Sequence, residues 1–331
     1  MKKTLIALAA IGACGYAAAQ SSVTLYGVAD AGVGRVNSGS THDPRAQRQP
    51  LWGVNAENGN GKAQFISGSL MNNTQSRVGF RGVEDMGNGL KAGFQFETGL
   101  DLDNGAADGT FWQRQANVWV GGNWGTFKLG RQFTPSYLVQ SAYELTGEAN
   151  YSVLANTFGT AGLAKRADSA FAYVTPNMSG LTAAVAFVSR NDSGLAKNVW
   201  DLGVLYANGP IGAGLSVNKG LDNGKTNYQL GAKYTFSNFT VGASYNHVTG
   251  IKSLLGEPRR RGVSIGASGT FAGFTVTADI TRDTKNDFHG KKWTNALLEA
   301  KYAMSKRTFV YGAALRLDGQ MNYGIGLRHN F

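Results

Sequence analysis

Tyr228-Gln229-Leu230-Gly231-Ala232-Lys233-Tyr234-Thr235-Phe236-Ser237-Asn238-Phe239-Thr240-Val241-Gly242-Ala243-Ser244-Tyr245-Asn246 holds two runs in which every second residue is apolar, joined by Ser237-Asn238. Period-two alternation puts the apolar groups of a strand on one face and its polar groups on the other. Ser and Asn are turn residues, so the stretch reads as an antiparallel hairpin with one apolar face. The same pattern recurs along the chain. Val23, Leu25, Ala29 and Val33 oppose Thr24, Tyr26 and Asp30, while Leu90, Ala92, Phe94 and Phe96 oppose Lys91, Gln95 and Glu97. Ile211 to Asn218 and Thr275 to Thr281 repeat it.

About sixteen such segments of about ten residues can be counted, the length a tilted strand needs to span a bilayer. Connections alternate between short and long. Met86 to Gly89, Asn123 to Gly125, Asn208-Gly209 and Ser237-Asn238 are short, whereas Asn37 to Gln75, Asp101 to Gln113, Phe133 to Asp168 and Thr249 to Arg260 are long. Tight turns at one end and long loops at the other are the asymmetry of an outer-membrane barrel. Phe133 to Asp168, the third long connection, carries no sustained alternation. In a wide barrel such a segment can fold into the lumen.

The chain has 331 residues, with 46 Gly, 6 Pro and a formal charge of +11. Its basic residues are scattered singly along alternating segments, apart from Arg259-Arg260-Arg261, which argues against nucleic acid as a partner. Lys2 and Lys3, the apolar run from Thr4 to Ala13 and the small residues ending at Ala19 form a secretory signal peptide over residues 1–19, leaving a barrel over 20–331. Ile11-Gly12-Ala13-Cys14 is a weaker alternative processing signal, for lipidation. No further stretch has the ~20 apolar residues of a membrane helix. Passage through a bilayer then requires a closed barrel in which every backbone group is paired.

Ser22-Val23-Thr24-Leu25-Tyr26-Gly27, Ser76-Arg77-Val78-Gly79-Phe80-Arg81-Gly82, Leu129-Gly130-Arg131-Gln132 and the terminal Leu327-Arg328-His329-Asn330-Phe331 together resemble the Gram-negative general porins of the β-proteobacterial and neisserial branch. The resemblance covers essentially the whole chain. It implies an all-β fold, a 16-stranded antiparallel transmembrane barrel in the bacterial outer membrane. It further implies a homotrimer, an inward-folded third loop over 133–168 that narrows the pore, and a terminal aromatic, Phe331, read by the barrel-assembly machinery.

Passive diffusion needs no catalytic residue, cofactor or metal; it needs a water-filled constriction of suitable charge. Parity places Arg77, Arg81, Lys91, Arg114, Lys128, Lys233, Arg261, Lys301, Arg316 and Arg328 on the lumen face, against Asp30, Glu97, Asp201, Asp279 and Glu299. The excess of base favours small anionic solutes, because a low-dielectric wall focuses the field. The resemblance selects Arg77, Arg131 and Arg166 as a basic cluster, with Arg114 and Lys165 as neighbours and Glu144 and Glu148 as acidic partners on the loop; parity adds Arg81 and Lys128 to the constriction. Arg131 shares its parity with Phe127 and Leu129, so it can face the pore only if its strand bends or bulges.

Trp119, Trp124, Trp200, Trp293, Tyr302, Tyr311, Tyr323 and Phe331 are candidates for interfacial aromatic girdles or a protomer contact. Arg259-Arg260-Arg261 reads as a solvated loop tip or, more sharply, as a contact for phosphates of lipopolysaccharide in the surrounding outer-membrane lipid. Two alternatives to a general anion-preferring pore stay open: a channel selective for phosphate or organic acids, and a structural or adhesive barrel with a closed lumen.

Overall fold

The computed structural model describes residues 22–37, 60–189, 198–219, 225–249, 259–287 and 290–331. The expected leader with Cys14, and most of the first loop, lie outside the described residues. Seventeen strand segments form one closed sheet in which every pairing is antiparallel. In chain order they are β1 (Ser22–Asn37), β2 (Asn60–Ser67), β3 (Arg77–Gly87), β4 (Leu90–Gly99), β5 (Gln115–Gly122), β6 (Gly125–Phe133), β7 (Arg166–Val174), β8 (Leu181–Val188) and β9 (Val199–Asn208). They continue as β10 (Ile211–Lys219), β11 (Thr226–Phe236), β12 (Phe239–Thr249), β13 (Arg259–Phe271), β14 (Phe274–Asn286), β15 (Thr294–Ala303), β16 (Thr308–Leu317) and β17 (Gln320–Asn330).

The seventeen segments make sixteen staves. β1 pairs with β3 along its first half and with β2 along its second, Val23 facing Gly82 and Val33 facing Phe65, so β2 and β3 are two pieces of one stave. Here the expected first loop, Asn37 to Gln75, is corrected: from Asn60 onward it holds β2 and then an inward excursion over 68–76. Alternation missed this because the excursion is buried on all sides, and only tertiary contacts separate it from a loop. Asp30 holds it, accepting hydrogen bonds from Asn72 Nδ2 (3.1 Å), the Thr74 amide (2.8 Å) and the Tyr311 hydroxyl (2.6 Å).

β17 closes the ring on β1, with Val28 opposite Asn330 and Arg35 opposite Tyr323. Phe331 adds a last pair, exchanging backbone hydrogen bonds with Gly27 at 3.0 and 3.1 Å. Outside, Leu25, Val33, Ile265, Ile280, Ile325 and Leu327 are exposed, as a lipid-facing surface requires. At the short-turn end Tyr234, Phe236, Phe239 and Phe271 follow one another at ring separations of 6.5, 5.8 and 5.1 Å, and Phe274 meets Tyr302 at 4.6 Å. This is one aromatic belt. Tyr311 is not part of it; it is buried in the lumen on Asp30.

The third loop is not structureless. It contains α1 (Pro135–Tyr143) and α2 (Val153–Phe158), capped by Thr134 and Ser152, whose side chains accept from Tyr137 N and Ala155 N. Pro135 suits the first turn, where its missing N–H costs nothing. α1 lies against β8 to β12 and α2 against β12 to β16. The bed for α1 is made by glycines: a Cβ on Gly231 would meet the Tyr143 ring at 2.6 Å and one on its cross-strand partner Gly214 would meet Val139 at 2.8 Å. Apolar packing completes the attachment, through Val139, Tyr143, Leu154, Phe158 and Val248 in one cluster and Tyr151, Met71, Ile66 and Leu315 in another.

Candidate functional site

With the loop seated on the β8 to β16 side, the opposite wall, β3 to β7, is left to bound the open lumen. Basic residues gather there. Arg77 and Arg114 share one carboxylate: Glu97 accepts from Arg114 Nε at 2.7 Å and lies 3.6 Å from Arg77 Nε. Arg77 also donates to Thr74 Oγ1 (3.0 Å) and the Gln75 carbonyl (3.1 Å), and Arg114 to Gln75 Oε1. The excursion over 68–76 thus positions both guanidinium groups.

Arg166 completes the group from the return of the third loop. Its guanidinium carbon lies 4.5 Å from the centroid of Phe133, and Phe133 stacks on Tyr137 at 4.5 Å. It stands in the electrostatic range of Arg114 and Glu97, and its Nε is buried without a hydrogen-bond partner among the described residues. Two permanent cations therefore share the Glu97 carboxylate, with Arg166 a third nearby. Toward the short turns, Arg81 lies 5.4 Å over the Tyr26 ring, and neither Arg81 nor Lys128 has an ion pair among the described residues.

Arg131 sits apart from this shared carboxylate. Its guanidinium forms an ion pair with Asp168 and donates to the Gln113 carbonyl. The register between β6 and β7 does shift beside it, between Gly130 and Gln132, but the additional residue falls on β7, where Ser169 has φ of 49°.

The acidic loop residues are turned into the loop. Glu144 accepts from the Thr146 amide (2.8 Å), the Thr146 hydroxyl (2.6 Å) and the Glu148 amide (2.8 Å), closing the turn after α1. Glu148, with φ of 63° after Gly147 at 75°, has both carboxyl oxygens buried and lies 3.9 Å from Lys165 Nζ. Burial pushes the Glu148 carboxyl up to about 8, against the pull of Lys165; burial likewise lowers the Lys165 ammonium.

Two wall lysines that parity put in the lumen serve as tethers. Lys233 Nζ donates to the Glu144 carbonyl at 3.3 Å and Lys301 Nζ to the Thr146 carbonyl at 3.0 Å. Several wall acids are used in the same way. Asp201 accepts from the Ser136 amide (2.8 Å) and hydroxyl (2.6 Å) at the start of α1, and Glu299 from Tyr151 (2.6 Å). Arg261 and Arg316 are corrections to the parity list. Exposed Val263 and Ile265 put Arg261 on the outer face, and buried Tyr311, Ala313 and Leu315 turn Arg316 outward. Arg260 is no solvated tip either: it is buried, bonded to both Asp283 oxygens (2.9 and 3.1 Å) and to Asp318 (2.7 Å). Glycines on the lumen parity of adjacent strands, Gly214 and Gly231, were the sequence signal for where the loop lies.

A family model describing Gram-negative porins matches residues 4–321. The chain belongs to the Gram-negative porins. Among curated proteins, this porin is 32% identical over 345 residues to outer membrane porin protein 32 of Delftia acidovorans, covering 99% of this chain and 93% of that one. It is 30% identical over 282 residues to an outer membrane porin protein of Bordetella pertussis, covering 75% and 70%. Among solved structures, an anion-selective porin from Comamonas acidovorans superposes with a TM-score of 0.75 at 24% identity, covering 94% of this porin and all of that chain. The fold is the closed antiparallel barrel of outer-membrane porins, and the outer membrane is where this porin resides.

Proposed function

We propose that this porin is a passive diffusion channel for small hydrophilic solutes that prefers anions, with no catalytic step. The observation that carries the reading is the gathering of Arg77, Arg114 and Arg166 about the single carboxylate of Glu97. A free cation in a lumen walled by protein and lipid raises the local concentration of anions. Three of the five lumen acids are spent on structure: Asp30, Asp201 and Glu299 each accept hydrogen bonds from the inward segments. The likeness to the Comamonas acidovorans porin, itself anion-selective, supports the same preference.

On this reading residues 1–19 are a leader removed on export and 20–331 the mature barrel. The mature porin assembles with two copies of itself, uses Phe331 as its signal to the barrel-assembly machinery, and sits among outer-membrane lipid and lipopolysaccharide. The test is the zero-current potential of the folded protein in a planar bilayer under a KCl gradient. Chloride entering faster than potassium is expected, and replacing Arg77, Arg114 and Arg166 together by Gln is expected to reduce or reverse that preference. A cation-selective wild type would overturn the charge assignment, and absence of conductance from folded protein would favour a closed structural barrel.

A further inference from the structure

β1 changes partner in mid-strand. It pairs with β3 as far as Val28, opposite Arg77, and with β2 from Ala31, opposite Ser67. Ala29 and Asp30 fall in the gap, and there the chain over 68–76 turns into the lumen. Ser76 fills the missing rung, its hydroxyl accepting from the Asp30 amide (2.9 Å) and donating to the Asp30 carbonyl (3.0 Å). The Asp30 carboxylate holds the rest of the excursion, one oxygen accepting from Asn72 and Tyr311 and the other from the Thr74 amide. Asp30 has no exposed surface.

At its far end the excursion carries the basic wall. Thr74 Oγ1 and the Gln75 carbonyl accept from Arg77, and Gln75 Oε1 accepts from Arg114. All three acceptors are neutral. They satisfy guanidinium donors without cancelling charge, as a carboxylate would, and leave Arg77 Nε 3.6 Å from Glu97 rather than closed upon it. The same segment reaches the third loop. The Asn150 amide donates to the Asn73 carbonyl at 3.0 Å, and Asn73 Nδ2 to the Tyr151 hydroxyl at 2.8 Å. One short segment thus sets the basic wall and the loop relative to one another, and Asp30 is its anchor on the barrel.

We propose that Asp30 is a positioning residue for ion selectivity, an acid whose removal weakens the preference for anions. A count of lumen charges gives the opposite sign, since deleting a negative charge from a pore favours anions. The geometry decides between the two. The charge of Asp30 is answered locally, by three side-chain and backbone donors and by Arg328, its cross-strand partner. Freeing 68–76 withdraws the neutral acceptors and lets Arg77 and Arg114 close on Glu97, where their field is cancelled. This inference rests on the basic cluster setting the selectivity of the pore, as proposed above.

The test uses the full mature chain, folded in detergent and placed in a planar bilayer. The chloride-to-potassium permeability ratio is read from the zero-current potential under a KCl gradient, and heat-modifiable migration reports that each variant is folded. Asp30→Ala is expected to lower the ratio on the order of threefold, the effect of losing about one kT of the several kT that a focused cluster creates. Asp30→Asn makes the same change of charge but keeps an oxygen for the Thr74 amide and lets the Tyr311 hydroxyl accept instead of donate. It is expected to restore the ratio. Thr74→Val with Gln75→Leu alters no charge and removes two neutral acceptors; it is expected to lower the ratio as Asp30→Ala does, and it decides the matter if Asp30→Ala does not fold. A ratio raised in both Asp30 variants, as charge counting requires, would overturn the proposal, and so would an unmoved ratio in the double variant. A wild type that passes potassium faster would overturn the reading of the pore itself, whereas an anion-preferring wild type with unmoved variants overturns the anchor alone.

Discussion

Glu148 is a buried carboxyl of the third loop, 3.9 Å from Lys165 beside the basic cluster. Its carboxyl is raised to about 8 by burial, with Glu144 adding repulsion and Lys165 and Lys233 opposing it. Because its pKa is raised above the unfolded value, the stability linked to its protonated form is present below the usual carboxylate range and lost as pH climbs through about 8. Above that pH a negative charge appears beside Lys165, next to the Arg166 cluster. Anion preference, read as zero-current potential, is expected to fall as pH rises through about 8, and Glu148→Gln is expected to abolish that step while keeping the selectivity seen at lower pH. A step of equal size in the variant would place the titrating group elsewhere. At this scale the sequence told the residue types but not their partners. Arg114 and Arg131 look alike as strand-end arginines, yet one reaches Glu97 and the other Asp168.

The third loop is held inside the barrel by specific polar contacts as much as by apolar packing. Asp201 fixes the start of α1 through the Ser136 amide and hydroxyl. Asp201→Ala leaves both donors buried and unpaired, which costs about 1–3 kcal/mol. The expected result is a loop that leaves its seat more often, seen as increased open-channel current noise with strand content unchanged by circular dichroism. Quiet channels in the variant would show that the apolar contacts of Val139 and Tyr143 suffice. The loop's lack of alternation was legible in the sequence, and its inward course was implied by the family resemblance. Its helices were not, because each is short and α1 is apolar on the side that meets Gly214 and Gly231 rather than over a regular helical stripe.

For the whole molecule, closure decides whether there is a barrel at all, and it rests on β1 meeting β17. Deleting Phe331 removes the pair with Gly27 and an exposed aromatic at the short-turn end. The expected outcome is a large drop in folded protein recovered from the outer membrane. Purified chain refolded in detergent is expected to be affected much less, because the backbone ladder from Val28 to Arg35 is intact. Equal loss in both settings would mean that the residue acts on stability rather than on assembly. An approximate strand number, the tight-turn end and the lipid-facing parity of most strands were legible in the sequence alone, though not the sides of Arg261 and Arg316, because a period of two and a turn residue are local properties that a single strand expresses without its neighbours. Tertiary structure alone decided which charges face the water. Whether Asp30, Asp201, Lys233 and Lys301 line a pore or anchor the segments inside it depends on what else the ring of strands encloses, and no residue carries that information in its own neighbourhood of the chain.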